Sequence, residues 1–384
     1  MYQKFYSEFL KGHEGKIHMA AHSHHFWPDV SLKGHMEFWQ DSALMSDGKW
    51  GSKIFSEVLP EVQNLICEMT KFSRPKDIAF APNTHELVFR LISTFLEKPN
   101  KPFKILTTDS EFHSLERQLC RLEESKLASV KRIAANAPSF EEGFLKEAKN
   151  DYDLIIFSHV FFNSGKALST GFIKNVILAS SKETLLCVDG YHAFAALPVD
   201  LSEVGSRIFY VAGGYKYAQA GEGLCFLTLP ENCKLRPVNT GWFANFGALE
   251  NKKEGAVEYD NDGLRFGGAT YDPSAAYRFK AVWSGFKKAG ISVSTIHSHV
   301  QKLQKLLIDS VENKNLFLNT DLNKQGHFLC ISFKSKQEAK SYSEFLKSKN
   351  ILTDYRENIL RFGIGLYHTE KEVHEVAKAL IIHI

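Results

Sequence analysis

Tyr210-Val-Ala-Gly-Gly-Tyr-Lys-Tyr217 is the stretch on which the fold turns. It continues a β-branched and aromatic run, Arg207-Ile-Phe-Tyr-Val211, that has the composition of a strand. Gly213-Gly214 then lets the backbone turn sharply and delivers one lysine, Lys216, between two tyrosines. Upstream, Leu185-Leu-Cys-Val-Asp-Gly-Tyr-His192 is a second short apolar run, and it closes on a lone carboxylate, Asp189. Ile105-Leu-Thr-Thr108 and Leu154-Ile-Ile-Phe-Ser158 precede these runs, and Leu224-Cys-Phe-Leu-Thr228 follows the lysine. Residues 115–127 and 172–179, which lie between such runs, have helical spacing. Strands alternating with helices predict right-handed βαβ units and a mainly parallel sheet buried on both faces. In such sheets ligands bind beyond the carboxyl ends of the strands, where Asp189 and Lys216 fall.

Beyond this core, residues 237–268 break into loop rich in Gly, Asn and charge. Helical periodicity returns over 276–289 and 293–311. Phe328-Leu-Cys-Ile-Ser-Phe333, a helical 338–347 and Ile359-Leu-Arg-Phe362 then predict a smaller α+β unit. The expected division is a large α/β domain over 31–265, with 1–30 and 266–384 forming the small domain and its N-terminal segment. The 384 residues, 44% hydrophobic and 24% charged, suit two such units. Lys+Arg 47 against Asp+Glu 44 is too balanced for a nucleic-acid or anionic-membrane partner. No apolar stretch nears the ~20 residues needed to cross a bilayer. Met1-Tyr-Gln-Lys-Phe-Tyr-Ser-Glu8 lacks the apolar core of a secretory leader. Six scattered cysteines with no C-x-x-C argue against a disulfide framework or a zinc site, and the expected home is a reducing cytoplasm.

A lysine and a carboxylate at the ends of successive strands suit one chemistry. The lysine can hold pyridoxal phosphate as a Schiff base, and the carboxylate can keep the pyridine nitrogen protonated so that the ring accepts electrons. Phe80-Ala-Pro-Asn-Thr-His-Glu-Leu87 is a strand, a turn and a helix start, with Asn83 or Thr84 as N-cap. Free N–H groups there would receive a phosphate dianion, although an ordinary capped helix reads the same. Asp189 before glycine is equally a common turn former, and Lys216 could be a solvated loop lysine. Phe112, in Asp109-Ser-Glu-Phe-His-Ser114, could lie flat on a cofactor ring or simply pack. Arg361, inside an apolar strand pattern, is either an edge residue facing water or a buried fork for a carboxylate.

A rival signal lies in His18-Met-Ala-Ala-His-Ser-His-His-Phe-Trp27. On a strand, His22 and His24 would share one face and could bind a divalent metal. The His-x-His is similar to that of metal-dependent amidohydrolases, whose eightfold βα barrel the C-terminal part fits badly; no metal is expected. Nucleotide loops, H-E-x-x-H and G-x-S-x-G are absent, and Gly221-Glu-Gly223 lacks a third glycine.

Together these residues resemble the class V aminotransferase group of fold type I pyridoxal phosphate enzymes, most closely the kynureninases. The likeness spans 18–368 and is sharpest at Asp189-Gly-Tyr-His192 with Leu197-Pro-Val-Asp200, at Tyr215-Lys-Tyr217, and at Gly241-Trp-Phe243. It implies that Lys216 carries the cofactor, that Asp189 pairs with the pyridine nitrogen, and that Phe112 stacks on the ring. Asn83, Thr84, His192 and Tyr215 would surround the phosphate, and Arg361 would grip the substrate α-carboxylate. Trp242 and the turn holding Thr270 and Asp272 would come from a second copy, making a homodimer with shared active sites.

The resemblance further implies hydrolytic Cβ–Cγ cleavage of a kynurenine-type amino acid, with transamination or β-elimination as the nearest alternatives. A metal hydrolase and a non-catalytic relative are the distant ones. Three departures fall on the substrate side. Asp272 stands where kynureninases carry asparagine, their Asn-Ser-Leu-Gly reads His22-Ser23-His24-His25, and the histidine expected around Asp47-Gly-Lys-Trp50 is missing. Cysteine desulfurases of the same group need a thiolate on a loop that reads here as Leu352-Thr-Asp-Tyr-Arg-Glu-Asn358, which has none.

Overall fold

A computed structural model describes residues 1–97, 101–248, 257–311, 313 and 316–381. Among the described residues the chain forms twelve strands. They are β1 (Ile17–His18), β2 (Ile78–Ala81), β3 (Phe103–Thr108), β4 (Ala128–Ile133), β5 (Leu154–Ser158), β6 (Leu185–Asp189), β7 (Phe209–Gly213), β8 (Cys225–Thr228), β9 (Phe328–Ser332), β10 (Ile351–Leu352), β11 (Asp354–Arg356) and β12 (Ile359–Gly363). The large sheet has the order β2-β8-β7-β6-β5-β3-β4. Neighbours from β7 through β4 are parallel, and β8 alone runs against both of its neighbours.

The apolar runs form strands because both of their faces are buried. Leu154 and Ile156 of β5 face one way, against the helices Thr84–Ser93 and His113–Glu124. Ile155 and Phe157 face the other, with Phe140, Phe144 and Phe172 of the helices Phe140–Glu147 and Thr170–Ala179. The strand expected from Arg207 begins at Phe209 instead, since Arg207 turns out to donate to the carbonyls of Ser181, Lys182 and Thr184.

Chain order reverses between β3 and β5, because the chain runs out to β4 and returns. The C-terminal ends of β3, β5, β6 and β7 therefore border the crevice that a doubly wound sheet leaves for a ligand. Gly190, just past β6, is required there: a Cβ on it would lie 2.0 Å from Cζ of the buried Tyr210.

A second, antiparallel sheet has the order β11-β12-β9, with Arg361 opposite both Asp354 and Cys330. The N-terminal segment is tied to it. β1 pairs in parallel with β10, and Ala20 bridges Gly363. One apolar core runs from Phe172 and Phe226 through Phe279 and Trp283 to Phe328 and Phe362. No described helix is long and apolar enough to cross a membrane.

Candidate active site

Asp189 and Lys216 open into one cavity of about 390 Å³, within the ordinary range for a small-ligand site. Asn83, Thr84, Phe112, His192 and Tyr215 line the same space, joined by Ser158, Val160, Phe162, Tyr191, Glu222 and Cys225. Each arrives by its own element. Asn83 caps the helix Thr84–Ser93, its Oδ1 accepting from the Glu86 amide at 2.9 Å, which settles the N-cap on Asn83 rather than Thr84. Phe112 follows β3 and precedes the helix His113–Glu124, and it is 37% exposed. Ser158 ends β5, and Asp189 ends β6 directly beside it. Gly213-Gly214 lead from β7 into Lys216.

Lys216 is no solvated loop residue: only 6% of it is exposed. Its Nζ lies 2.8 Å from Nε2 of His192 and over the rings of Tyr191, Phe112 and Tyr215, at 4.8, 5.3 and 5.7 Å. Burial pulls its ammonium down to about 7, with Asp189 working against that and Arg361 with it. Asp189 is fixed by the Tyr191 amide at 2.9 Å. Its carboxyl is pushed up by burial and drawn back by that amide and by the Lys216 charge. His192 is held neutral by burial and then by the charges of Lys216 and Arg361.

Arg361 does not face water: it is 3% exposed on the central strand of the small sheet, and it does not itself line the cavity. Nη1 donates to the Phe162 carbonyl at 2.6 Å, and Nη2 donates to Asp354. A guanidinium has five N–H donors; these two contacts leave others unspent, and Nε is buried with no acceptor among the described residues. Asp354 also accepts from Arg356 at 2.7 Å and lies 3.6 Å from Nε2 of His22. Burial alone would raise its carboxyl, but His22 and the two arginines hold it well below the usual carboxylate range.

The expectation that His22 and His24 share a face does not hold. Residues 21–24 form a turn, so period-two alternation does not apply. His22 is fully buried and stacks on Phe328 at 4.8 Å. His24 is exposed, stacks on Tyr215 at 5.4 Å and lies 3.6 Å from Glu222. Among the described residues no group of three metal-ligating side chains forms. Ser23, on the same turn, meets His24 Nδ1 at 3.4 Å and does not line the cavity. Trp242, Thr270 and Asp272 also stand outside it. Trp242 is 42% exposed and packs on Phe243, whereas Asp272 caps the Ser274 amide at 2.8 Å.

Buried neutral histidines set an acid limit on the fold. Burial lowers His22 and His25 to about 3 and His159 to about 4. An unfolded chain would protonate all three near the ordinary value of about 6.5. Their contribution is therefore fully present above that value and is lost as pH falls toward the folded values, by up to about 1.4 kcal/mol per pH unit for each. Thermal melts followed by circular dichroism should show the midpoint dropping steadily below about pH 6.5. A midpoint flat down to about pH 4 would contradict this burial.

The cavity fits a phosphorylated pyridine aldehyde on three counts: a buried amine near neutrality, a carboxyl beyond it, and the N-terminus of a ten-residue helix at its edge. Comparison with known proteins agrees. An uncharacterized aminotransferase of Bacillus subtilis (strain 168), YcbU, is 23% identical over 338 residues, covering 87% of this chain and 85% of that protein. A kynureninase of Geobacillus thermodenitrificans (strain NG80-2) is also 23% identical, over 343 residues, 80% of this chain and 73% of the relative. The fold matches C-DES, a cystine C–S lyase, with a TM-score of 0.83 at 16% identity, over 97% of this chain and 99% of that one. Another C-DES structure holds glycine covalently linked to its pyridoxal phosphate cofactor. The model of the aminotransferase class-V family matches residues 42–376. A mainly parallel sheet with its lysine and carboxylate at one crevice is thus the fold type I frame, and the chain belongs to the class-V aminotransferase family of pyridoxal phosphate enzymes.

Proposed function

We propose that this enzyme hydrolyses the Cβ–Cγ bond of a kynurenine-type amino acid, releasing alanine. The pyridoxal phosphate part of the reading rests on the meeting of Lys216 and Asp189 in one cavity, with a buried, under-used arginine close enough to act on the Lys216 charge, and the kynurenine part rests on the 23% identity to a kynureninase. Bound there, pyridoxal phosphate supplies an electron sink for negative charge at the substrate α-carbon.

The chain's own residues do the rest. Lys216 would hold the cofactor and would serve as general base at the substrate α-carbon. An amine near 7 is free often enough at neutral pH to take that proton. His192, neutral and 2.8 Å away, orients the amine. Asp189 would keep positive charge at the ring nitrogen, Phe112 would pack on the ring, and Asn83, Thr84, His192, Tyr215 and the free amides of the helix start would hold the phosphate. The buried Nε of Arg361 and its unspent Nη hydrogens take the substrate carboxylate. Ser23 lies on the substrate side in this reading.

A homodimer belongs to the same reading, with Trp242, Thr270 and Asp272 completing the partner's cavity. The helix Val30–Met45 shows Leu32, Met36 and Trp39 on one face, 62%, 45% and 63% exposed, a stripe that suits a protein contact.

A desulfurase reading is less favoured, because the stretch 352–358 carries no cysteine. Cys330 is buried on β9, its thiol is pushed up to about 12 by burial, and its Sγ donates to the Asn163 carbonyl at 3.5 Å.

Incubation with kynurenine, 3-hydroxykynurenine and common amino acids tests the proposal, following cofactor absorbance and products together. Alanine and an aryl acid are expected. Pyruvate with ammonia would instead assign β-elimination, and a keto acid without cleavage would assign transamination. An unchanged spectrum with every amino acid would overturn the enzymatic reading altogether.

A further inference from the structure

Behind the cavity floor lies a second carboxyl that the proposed mechanism does not use. Glu111 is 4% exposed, next to Phe112 in sequence. Its Oε1 accepts from Thr108 Oγ1 at 2.6 Å and from the Ser158 amide at 3.2 Å. Its Oε2 lies 2.7 Å from Ser158 Oγ. Ser158 lines the cavity and is the register partner of Asp189 across β5 and β6. Two carboxyls thus flank Ser158, whose hydroxyl joins Glu111 to the cavity lining.

Two like charges that act on each other in a buried site cannot both ionise cheaply, so one holds a proton near neutrality. Asp189 has a cation to face, Lys216, and in the reading above a protonated ring as well. Glu111 has only neutral donors: Thr108 from β3 and Ser158 from β5. The charged and titratable groups facing it from β6 are Asp189 and the Cys187 thiol. Glu111 is therefore the proton holder, and burial followed by the Asp189 charge lifts it to about 7 against the pull of its hydroxyl partners.

A neutral carboxyl must donate its own hydrogen. Ser158 Oγ, at 2.7 Å, can accept it and then turns its own hydrogen into the cavity. Once Glu111 loses the proton to solvent, Ser158 must donate to Oε2 and only its lone pairs face the cavity.

We propose that Glu111 is a positioning residue that sets, through Ser158 and beside Asp189, the proton inventory at the ring of the bound cofactor. The proposal rests on the reading that this ring faces Asp189. Glu111→Gln mimics the neutral acid in shape and hydrogen bonding. The variant holoenzyme should match the parent's cofactor absorbance at about pH 6 and part from it by about pH 8.5, because only the parent acquires the extra charge. The Lys216 nitrogen is in the same state in both holoenzymes and cancels in the difference, so the difference should grow from zero with a midpoint near 7. A difference that is absent throughout, or equal at both ends, would overturn the proposal, the second outcome marking a merely structural role.

Infrared spectra of the cofactor-free parent protein give a readout independent of holoenzyme colour. A protonated-carboxyl band should fade with a midpoint near 7, and the same step should be missing from Glu111→Gln. If no coloured complex forms at all, the function proposed above fails while this infrared step still decides the Glu111 pair. If the parent shows no such step, Glu111 is not the proton holder and the inference falls.

Discussion

Lys216→Ala yields a folded protein that no longer fixes the cofactor covalently, with turnover reduced by at least about 10³-fold, since in the proposed mechanism one side chain both carries the cofactor and moves the proton at the α-carbon. The fold survives for a physical reason. Lys216 makes no ion pair within 4.0 Å among the described residues; it contributes one contact to His192 and its position over three aromatic rings. Removing a buried amine also removes its desolvation cost. Thermal melts within a few degrees of the parent, together with loss of the borohydride-sensitive absorbance, check both halves of the expectation. Full activity in Lys216→Ala would remove the lysine from the chemistry.

Arg361→Ala acts on affinity. A forked carboxylate contact is worth on the order of 2–3 kcal/mol, so KM rises roughly 30- to 150-fold. The rate at saturation falls much less, because Lys216, His192 and Asp189 are untouched. Arg361→Lys does not restore KM, since a single ammonium cannot present the guanidinium's fork. Stability also drops, because Asp354 loses the partner that best balances it and keeps only Arg356 and the neutral His22. Steady-state kinetics paired with melts separates the two effects. An unchanged KM would remove Arg361 from the substrate site.

The inner strands of the large sheet were legible in the sequence because they are buried on both faces and appear as apolar runs, whereas the half-exposed edge strand β4, with Lys131 and Arg132, was not. β5 and β6 fall on the residues that the runs mark. Lys216 and Asp189 were legible for the complementary reason: each is a lone charge at the end of such a run, and only a ligand crevice keeps charge there. Register is what the sequence does not carry. Asp354 sits in a polar stretch that reads as loop, and its hold on Arg361 exists because β11 pairs with β12 at that pair of residues. Glu111 is similarly hidden, since Asp109-Ser-Glu reads as a polar turn until β3 and β5 bring Ser158 against it. The two histidines were misplaced because alternation fixes a face only on a strand, and the chain turns at that point.

The central claim is that the Lys216 amine holds the cofactor. Borohydride reduction of the coloured protein, followed by proteolysis and mass spectrometry, tests it most directly. The peptide containing Lys216 should carry the reduced cofactor at near one equivalent per chain. A label on any other lysine, or a coloured protein that reduction leaves unlabelled, would contradict the claim.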